Sequence, residues 1–313
     1  MKNVLITGGS GFLGRQIVEV ARQKGYNTFT PRSVEFNIEN MEGVDKYFAG
    51  IPQIDVIIHS AAYYGGIGIN QTEPATIFHK NSLMAVNIFE IARKFNVKKV
   101  LPIGSACSYP GHITGDLKEE YFWDGPLHDS VEAYGFSKKL QQVGQRAYYK
   151  QYKIESNHLV LTNLYGPHDT FTEYRSHVAS ALIKKFADAK IANSPTITLW
   201  GDGSPIREFL YVGDAAEAIV RAIELEHDIS PMNIGTGTGT TIKELADYTK
   251  EFIGYDGEII WDTTKPNGTA RKVLDISKMK EKLHWQPVWN FRDGLKETIK
   301  WYLENKEEAD RRL

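Results

Sequence analysis

A tyrosine and a lysine four residues apart, Tyr134 and Lys138, have a spacing that suits acid–base chemistry. Residues i and i+4 lie on the same face of a helix, so the ammonium group of Lys138 is expected beside the phenol of Tyr134. A positive charge there stabilises the phenolate and is expected to lower the phenol pKa from about 10. Tyr134 would then be a usable general acid or base near neutral pH.

A hydroxyl that could polarise a carbonyl group follows a predicted strand, Lys99–Gly104. The carboxyl ends of parallel strands are where open α/β sheets bind their ligands, and Ser105 stands at that point. We therefore predict that Ser105 is the hydroxyl partner of Tyr134 at a substrate carbonyl.

A glycine-rich segment has the spacing of a nucleotide-binding turn. Gly8, Gly11 and Gly14 form a G-x-x-G-x-x-G pattern between a predicted strand, Val4–Thr7, and a predicted helix, Phe12–Lys24. Glycines permit the tight turn, let the backbone approach a pyrophosphate and let the helix pack on the strand. The phosphates would lie at the helix N-terminus, where free N–H groups and the helix dipole favour negative charge.

The end of the second predicted strand, Tyr26–Thr30, indicates which dinucleotide binds. An NAD-binding turn has an acidic residue about 20 residues further on, which holds the ribose 2′-hydroxyl. Here Arg32 and Ser33 follow the strand without a carboxylate, and they could receive a 2′-phosphate. The pattern favours NADP(H).

Strand-like and helix-like segments alternate through the first half of the chain, which predicts a parallel sheet covered on both faces. The remaining elements there are strands Asp55–Ser60 and His158–Thr162 and helices Ser82–Phe95 and Ser137–Tyr152. In the less regular second half we predict helix Ser176–Ala189, strand Thr196–Trp200, helices Val212–Leu225 and Thr241–Ile253, strand Glu258–Trp261 and helix Phe291–Lys306. No linker separates the halves, so we expect a second domain built by excursions from the first sheet.

The composition is that of a globular chain. Of 313 residues, 42% are hydrophobic and 24% charged, and 37 basic against 39 acidic residues give a formal net charge of −2. This balance gives no support for binding to nucleic acid or to an anionic membrane. The single cysteine excludes an intramolecular disulfide and a cysteine-cluster metal site, and it fits a reducing compartment. No targeting signal or membrane-spanning run is visible, so we expect a soluble cytoplasmic protein without a metal.

The glycine turn, the strand-end serine and the Y-x-x-x-K pair, in this order, resemble the extended short-chain dehydrogenase/reductases. Further segments resemble the GDP-L-fucose synthase family within that superfamily: Ala61–Ile67, Ser105–Cys107, Thr162–Asp169, Ser176–Val178, Trp200–Leu210 and Pro266–Asp275. The resemblance covers essentially the whole chain. It implies an α/β fold with a Rossmann-type doubly wound parallel sheet over residues 1–165, which binds NADP(H). A smaller C-terminal α/β substrate domain is implied over 166–313, with segments returning to the first domain.

The most discriminating elements of this resemblance are Cys107 and His177. The family epimerises a GDP-4-keto-6-deoxy sugar at C3 and C5 and then reduces C4. The C4 ketone acidifies both protons, so a base and an acid on opposite faces can invert each centre. The resemblance implies that Cys107 is the base and His177 the acid, whose ordinary pKa values are within reach of neutrality. It also implies that Ser105 and Tyr134 hold the C4 oxygen, and that Tyr134 protonates it after hydride delivery from NADPH.

Binding residues are also implied by the resemblance. For NADP(H) they are Gly8, Gly11, Phe12, Leu13, Gly14, Arg32, Ala61 and Lys138, and for the GDP-linked sugar they are Asn163, Lys185, Trp200, Arg207 and Lys272. Arg207 is the expected pyrophosphate contact, since arginine suits bidentate phosphate recognition. Lys185 stands where the family usually has an arginine, and the nucleotide turn lacks an arginine that many members have. His168 is a second candidate histidine, and we interpret it as a structural residue of a loop, without a catalytic role.

Three functions stay open. The first is an NADPH-dependent epimerase-reductase of GDP-4-keto-6-deoxy-D-mannose, and the second is a reductase or epimerase of another GDP-sugar such as a GDP-heptose. The third is a protein that senses NADP(H), which the intact set of acid–base residues argues against. The pocket size depends on a loop, Thr114–Asp129, that the sequence does not place. Helices Ser82–Phe95 and Ser137–Tyr152 correspond to the pair that forms a dimer interface in many relatives, which implies a homodimer.

Overall fold

The structure, a computed structural model, describes residues 1–172, 174–265 and 267–312. Its strands are β1 (Asn3–Thr7), β2 (Asn27–Phe29), β3 (Val56–His59), β4 (Lys99–Ser105), β5 (Glu155–Ser156), β6 (Leu159–Leu161), β7 (Asn163–Tyr165), β8 (Thr196–Trp200), β9 (Ile206–Tyr211), β10 (Met232–Ile234), β11 (Gly239–Thr241), β12 (Glu258–Asp262) and β13 (Arg271–Lys272). Its helices are α1 (Phe12–Gln23), α2 (Val44–Ala49), α3 (Ile67–Thr72), α4 (Pro74–Lys94), α5 (Glu132–Tyr152), α6 (Val178–Ile191), α7 (Val212–Arg221), α8 (Ile242–Ile253), α9 (Ser277–Leu283), α10 (Phe291–Glu304) and α11 (Lys306–Arg311). Pro266, the first residue of the Pro266–Asp275 segment that carries part of the family resemblance, lies outside the described residues. Within these ranges, no helix combines the length and the apolarity that crossing a membrane requires.

The larger sheet is parallel, with the strand order β10-β6-β4-β3-β1-β2 and with β5 beside β4. Val4 and Ile6 pack into a core with α1 and α7, whereas Leu5 between them packs into a core with α4. Alternate residues of a strand point to opposite faces, so the sheet has helices on both sides. The predicted doubly wound parallel α/β fold is confirmed.

The register of the sheet brings the ends of its central strands to one edge. Thr7 is paired with His59 at the ends of β1 and β3, and Ser105 is paired with Leu161 at the ends of β4 and β6. Ligands of open α/β sheets bind at such a carboxyl edge.

The smaller unit is built around β9, which is antiparallel to β11 and parallel to β7 and β13. β8 and β12 form a separate parallel pair, and α6, α8 and α10 complete a second core with these strands. The chain passes from β6 to β7 at Thr162, so a single residue joins the two sheets. Met232, Ile234 and Met279 from later segments pack into the core of the larger sheet. The domain limits 1–165 and 166–313 stay a prediction.

Two helices begin earlier than predicted. α4 begins at Pro74 and not at Ser82, because a proline suits the first helical position and Ile77 in the first turns is buried on the same face as Met84 and Ile88. α5 begins at Glu132 and not at Ser137, so Tyr134 and Lys138 lie within one helix.

Candidate active site

The glycine-rich turn connects β1 to α1 and leaves the first N–H groups of the helix available. Gly8 has a φ of 70°, in the left-handed region, and its carbonyl accepts the N–H of Gly11 at 2.9 Å. A β carbon at Gly14 would collide with the Gly8 carbonyl oxygen, so the third glycine lets α1 pack on the turn. Gly11 caps α1 without a side-chain hydrogen bond, so the N–H groups of Phe12 and Leu13 are open to a pyrophosphate.

Two more residues predicted for the cofactor follow β3 and β2. Ala61 donates its N–H to Thr7 Oγ1 at 3.2 Å, and a β carbon on Gly8 would come within 2.9 Å of the Ala61 nitrogen. Arg32 has an exposed side chain, and its backbone N–H donates to Glu35 Oε2 at 3.1 Å. The end of β2 carries no carboxylate of its own, but the Glu35 carboxylate reaches the backbone there. The sequence pattern did not predict this contact.

The end of β4 presents a hydroxyl and a thiol two residues apart. Ser105 Oγ accepts the N–H of Cys107 at 3.2 Å and begins a 3-10 turn over Ala106–Ser108. The Cys107 side chain is partly exposed, and its Sγ lies 4.0 Å from Lys272 Nζ. Burial lowers the pKa of the Arg207 guanidinium, and the proximity of Cys107 acts in the opposite direction. Two cationic side chains therefore lie next to the sulfur.

A glycine holds helix α5 against the Cys107 turn. A β carbon at Gly135 would collide with the Cys107 carbonyl oxygen, and the Gly135 carbonyl accepts the Ser108 hydroxyl at 2.9 Å. The helix can approach this closely only because position 135 has no side chain. Tyr134, the preceding residue, is thereby placed near Cys107.

The Tyr134–Lys138 pair departs from expectation in its electrostatics. Lys138 Nζ lies 5.7 Å from the Tyr134 ring centroid, and it donates to the Ile103 carbonyl at 3.0 Å. Burial raises the pKa of Tyr134 above its ordinary value, and the nearby Cys107 and Tyr64 act in the same direction. Burial also lowers the pKa of Lys138 to about 8. The predicted lowering of the phenol pKa is therefore wrong for the protein by itself, because burial outweighs the ammonium group.

His177 approaches the site from the start of α6. It immediately precedes Val178 in an extended conformation, and its ring is stacked on Tyr64 with 5.9 Å between centroids and 10° between planes. Burial lowers the pKa of His177 and raises that of Tyr64. Because Tyr64 is also a neighbour of Tyr134, the structure brings the histidine to the same site.

Three of the five predicted substrate residues lie on neighbouring strands. Lys272 on β13 is paired with Arg207 on β9. Asn163 Nδ2 donates to the carbonyl of Glu208, the residue after Arg207, at 2.9 Å. Arg207 Nη1 donates to the Thr269 carbonyl at 2.6 Å, which fixes the guanidinium. Lys272 and Arg207 therefore lie next to Cys107, and Asn163 lies on the strand beside β9.

The other two predicted substrate residues lie at β8. Lys185 is exposed on α6, and its Nζ donates to the Thr198 carbonyl at 2.6 Å. Trp200 is 66% exposed, and Lys265 Nζ lies 5.8 Å from its ring centroid. In the part of the chain that the structure describes, no hydrogen bond or ring contact links Lys185 or Trp200 to Cys107 or to the neighbouring Arg207 and Lys272.

An arginine does reach the nucleotide turn, although it comes from α1. Arg15 Nη2 donates to the Ser10 carbonyl at 3.0 Å, and its Nη1 lies 3.1 Å from His168 Nδ1. Helical side chains point towards the N-terminus, so an arginine directly after the third glycine was a usable signal. His168 itself has a φ of 70°, and its carbonyl accepts from Arg312 Nη1 at 2.9 Å. Two arginines thus surround the loop that carries His168.

The chain is similar to known proteins over nearly its whole length. The sequence model of the NAD dependent epimerase/dehydratase family matches residues 4–235. The GDP-L-fucose synthase of Escherichia coli (strain K12) is 35% identical over 316 residues, which cover 98% of this chain and 98% of that protein. The structure of a GDP-L-fucose synthetase from Naegleria fowleri bound to NADP is 26% identical, with a TM-score of 0.90, and 99% of this chain and 95% of that chain are covered. A GDP-6-OMe-4-keto-L-xylo-heptose reductase from C. jejuni is also 26% identical, with a TM-score of 0.89 and coverage of 97% and 98%. The resemblance inferred from the motifs is confirmed.

Proposed function

Because the chain belongs to the NAD dependent epimerase/dehydratase family, we propose that it converts GDP-4-keto-6-deoxy-D-mannose to GDP-L-fucose with NADPH. The coarser activity is that of an NADP-dependent sugar-nucleotide oxidoreductase with epimerase chemistry, and it follows from the family. The finer proposal rests on one observation, which is the convergence of five side chains on one site: Ser105, Cys107, Tyr134, Lys138 and His177.

Cys107 and His177 are assigned to epimerisation. The C4 ketone acidifies the C3 and C5 protons, and the Cys107 thiolate removes one of them while Lys272 holds a positive charge 4.0 Å from the sulfur. Ser105 and Tyr134 hydrogen-bond the C4 oxygen, which carries the negative charge of the enolate. His177, after taking up a proton from solvent, returns it to the opposite face and the centre is inverted, and the pKa that burial lowers makes the imidazolium ready to give up that proton.

Reduction uses the same carbonyl-binding pair. When bound, NADPH supplies a hydride to C4. The Tyr134 phenol, whose pKa is raised by burial, holds its proton until the C4 oxygen takes it. Lys138, fixed by the Ile103 carbonyl at 3.0 Å, stabilises the phenolate that remains.

The nucleotide turn fits the pyrophosphate of NADP(H), since among the described residues no side chain caps the first N–H groups of α1. The residues we assign to the cofactor are Gly8, Gly11, Phe12, Leu13, Gly14, Arg32, Ala61 and Lys138. Arg32 is assigned to the 2′-phosphate because its side chain is exposed at the end of β2.

The predicted substrate residues divide the GDP-sugar between two places. Asn163 and Lys272 are assigned to the sugar and Arg207 to the pyrophosphate, because Lys272 and Arg207 lie next to Cys107 and Asn163 bonds the residue after Arg207. Trp200 and Lys185 are assigned to the outer, guanosine end, where an exposed indole offers a stacking surface.

Proton exchange in D₂O tests the assignment of Cys107. The wild-type enzyme should incorporate deuterium at C3 and C5 of the 4-keto sugar, as followed by NMR. Cys107→Ser keeps the size but removes a thiol of ordinary pKa about 8.5, so it should stop the exchange. With NADPH present, slow reduction without inversion should then appear. If Cys107→Ser exchanges deuterium and inverts at the wild-type rate, the chain is a plain reductase.

A matched pair of histidine variants tests the assignment of His177. His177→Gln should lose inversion and still exchange deuterium, because the thiol formed on proton removal exchanges with D₂O and can return deuterium to the face from which the proton was taken. His79→Gln alters an exposed histidine of α4 and should behave as wild type. Equal losses in both variants would contradict the assignment.

A GDP-heptose is the second candidate substrate. The heptose reductase from C. jejuni matches this chain over nearly its whole length, and Lys185 occupies the site of the arginine that is usual in the GDP-L-fucose synthase family. Product analysis by NMR with each 4-keto GDP-sugar and NADPH decides between them. Reduced or inverted product from the heptose substrate alone would replace the first proposal with the second.

We further propose that the enzyme works in the cytoplasm as a homodimer. A reducing compartment keeps Cys107 as a free thiol, which the epimerisation step requires.

A further inference from the structure

Two segments that are distant in sequence are docked by backbone contacts next to the site. The N–H of Gly66 donates to the Arg175 carbonyl at 3.0 Å. A β carbon on Gly65 would lie 3.2 Å from the same carbonyl oxygen, and one on Gly66 would collide with the Ser176 carbonyl oxygen. The glycine pair therefore lets the segment that carries Tyr64 lie directly against the residues that precede His177.

Two adjacent tyrosines of this segment have different environments. The backbone of Tyr63 is fixed by Asn81, which accepts the Tyr63 N–H at 2.9 Å and donates to the Tyr63 carbonyl at 2.8 Å. The Tyr63 hydroxyl donates to Glu73 Oε2 at 2.8 Å, and its ring faces the guanidinium of Arg175. Tyr64 instead lies against His177 and is a neighbour of Tyr134.

The ring of His177 depends on this contact for its orientation. Among the described residues no hydrogen bond to the imidazole is present, and the side chain does not cap α6. The parallel stack on Tyr64, 5.9 Å between centroids, is the aromatic contact that the ring makes. The Tyr64 side chain lies near Thr170 and the charged groups Asp169, Arg175 and Arg312.

We propose that Tyr64 is a positioning residue for His177, holding the imidazole so that it returns a proton to the substrate face opposite Cys107. The inference rests on the proposed function. Cys107 removes the proton and Tyr134 serves the C4 oxygen, and neither step needs the stack. Loss of the stack should therefore affect which face is reprotonated, and not proton removal or hydride transfer.

Variants of Tyr64 and its neighbour test the proposal in D₂O with the 4-keto sugar. Tyr64→Leu should reduce the ratio of inversion to deuterium exchange by about tenfold or more, since a misplaced acid group loses its effect steeply. Tyr64→Phe keeps the ring and should stay within about twofold of wild type. Tyr63→Leu, the matched control, should retain the wild-type ratio. An unchanged ratio in Tyr64→Leu, or an equal loss of exchange and inversion, overturns the proposal.

A second measurement does not depend on the substrate. In NMR spectra of the protein alone, the ring protons of His177 should show the ring-current shift of a stacked neighbour, which should be lost in Tyr64→Leu and kept in Tyr64→Phe. Tyr64→Met, with an unbranched side chain, replaces Tyr64→Leu if that variant does not fold. Equal His177 ring-proton shifts in wild type and in the aliphatic variant overturn the inference. If wild type does not epimerise the sugar while the ring-proton shifts behave as expected, the proposed function fails and the contact stands.

Discussion

Two effects act on the phenol of Tyr134, and their balance decides its role. An ammonium group about 5 Å from a phenolate stabilises the phenolate by roughly 3 kcal/mol at an effective dielectric constant near 20. Burial of an unpaired anion costs several kcal/mol, so the neutral phenol is favoured. Lys138 also directs its hydrogen bond to the Ile103 carbonyl at 3.0 Å. Tyr134 is therefore suited to donate a proton during reduction.

Replacement of Tyr134 should affect chemistry and not cofactor binding. We expect Tyr134→Phe to reduce the rate of C4 reduction by about 10²–10⁴-fold, the usual cost of losing a general acid. Lys138→Ala should weaken both the rate and NADPH affinity. Single-turnover oxidation of NADPH and a fluorescence titration of NADPH binding measure the two quantities. A fully active Tyr134→Phe enzyme would show that the Y-x-x-x-K spacing is accidental.

The exposed guanidinium of Arg32 should set the cofactor preference. Arg32→Ala is expected to raise the KM for NADPH far more than the KM for NADH, because only NADPH carries the 2′-phosphate. Arg311→Ala, which removes an arginine whose side chain is 81% exposed on α11, is the control and should change neither value. Equal effects of Arg32→Ala on both cofactors, or a preference of the wild-type enzyme for NADH, would contradict the assignment.

Local spacing explains why some site residues could be predicted and others could not. Ser105 and Cys107 share one strand end, and Tyr134 and Lys138 share one helix face, so their relations can be read from the sequence. Tyr64 meets His177 only because a glycine pair docks two distant segments, which is a tertiary event without a local signal. The direction of the Tyr134 pKa shift likewise depends on burial, and residue spacing along the chain does not reveal burial.

At the scale of elements, the long buried strands and amphipathic helices were predictable, and the short elements were not. β1, β4 and β8 carry a clear pattern, and β8 has the predicted limits Thr196–Trp200. β7, β10 and β11 have three residues each, too few to show a period, and tertiary pairing creates them. The predicted helix Val212–Leu225 ends at Arg221, since the last residues form a 3-10 turn.

The loop between β7 and α6 contains a buried carboxyl group that should make stability depend on pH. Asp169 is 1% exposed, and burial raises its pKa from 3.8 to about 7, although Ser180 and the Thr170 N–H donate to it. Between these pH values the unfolded chain loses the proton and the native chain keeps it. The free energy of unfolding should therefore fall as pH rises through this window, by at most about 4 kcal/mol, and level off above it.

Urea unfolding at several pH values measures this effect. Asp169→Asn should flatten the pH dependence between about pH 4 and pH 7, because it removes the titrating group. Asp247→Asn, a change at an exposed position of α8, is the matched control and should keep the wild-type slope. An unchanged slope in Asp169→Asn would show that other groups cause it.

At the scale of the whole molecule, α4 and α5 expose apolar side chains on adjacent helices. Val86 is 56% exposed and Val143 49%, and Phe78, Phe136 and Tyr152 are also exposed. We propose that this face is the dimer interface. A charge introduced into it should convert the dimer to a monomer, so Val86→Glu and Val143→Glu should halve the mass found by light scattering.

A control elsewhere on the surface separates association from general solubility. Val288 is 81% exposed, and Val288→Glu should leave the mass unchanged. A wild-type protein that is monomeric at micromolar concentration would exclude the proposed dimer.

The contact between Lys272 and Cys107 spans 165 positions of the chain. Contacts between residues so far apart form late, because a long loop must close before they can be made. During refolding, β4 can therefore pair within the larger sheet while the sulfur at its end is still open to solvent. As the chain has one cysteine, the change in the reactivity of its thiol towards a labelling reagent, as Lys272 arrives 4.0 Å from the sulfur, times the completion of the site separately from the formation of the sheet.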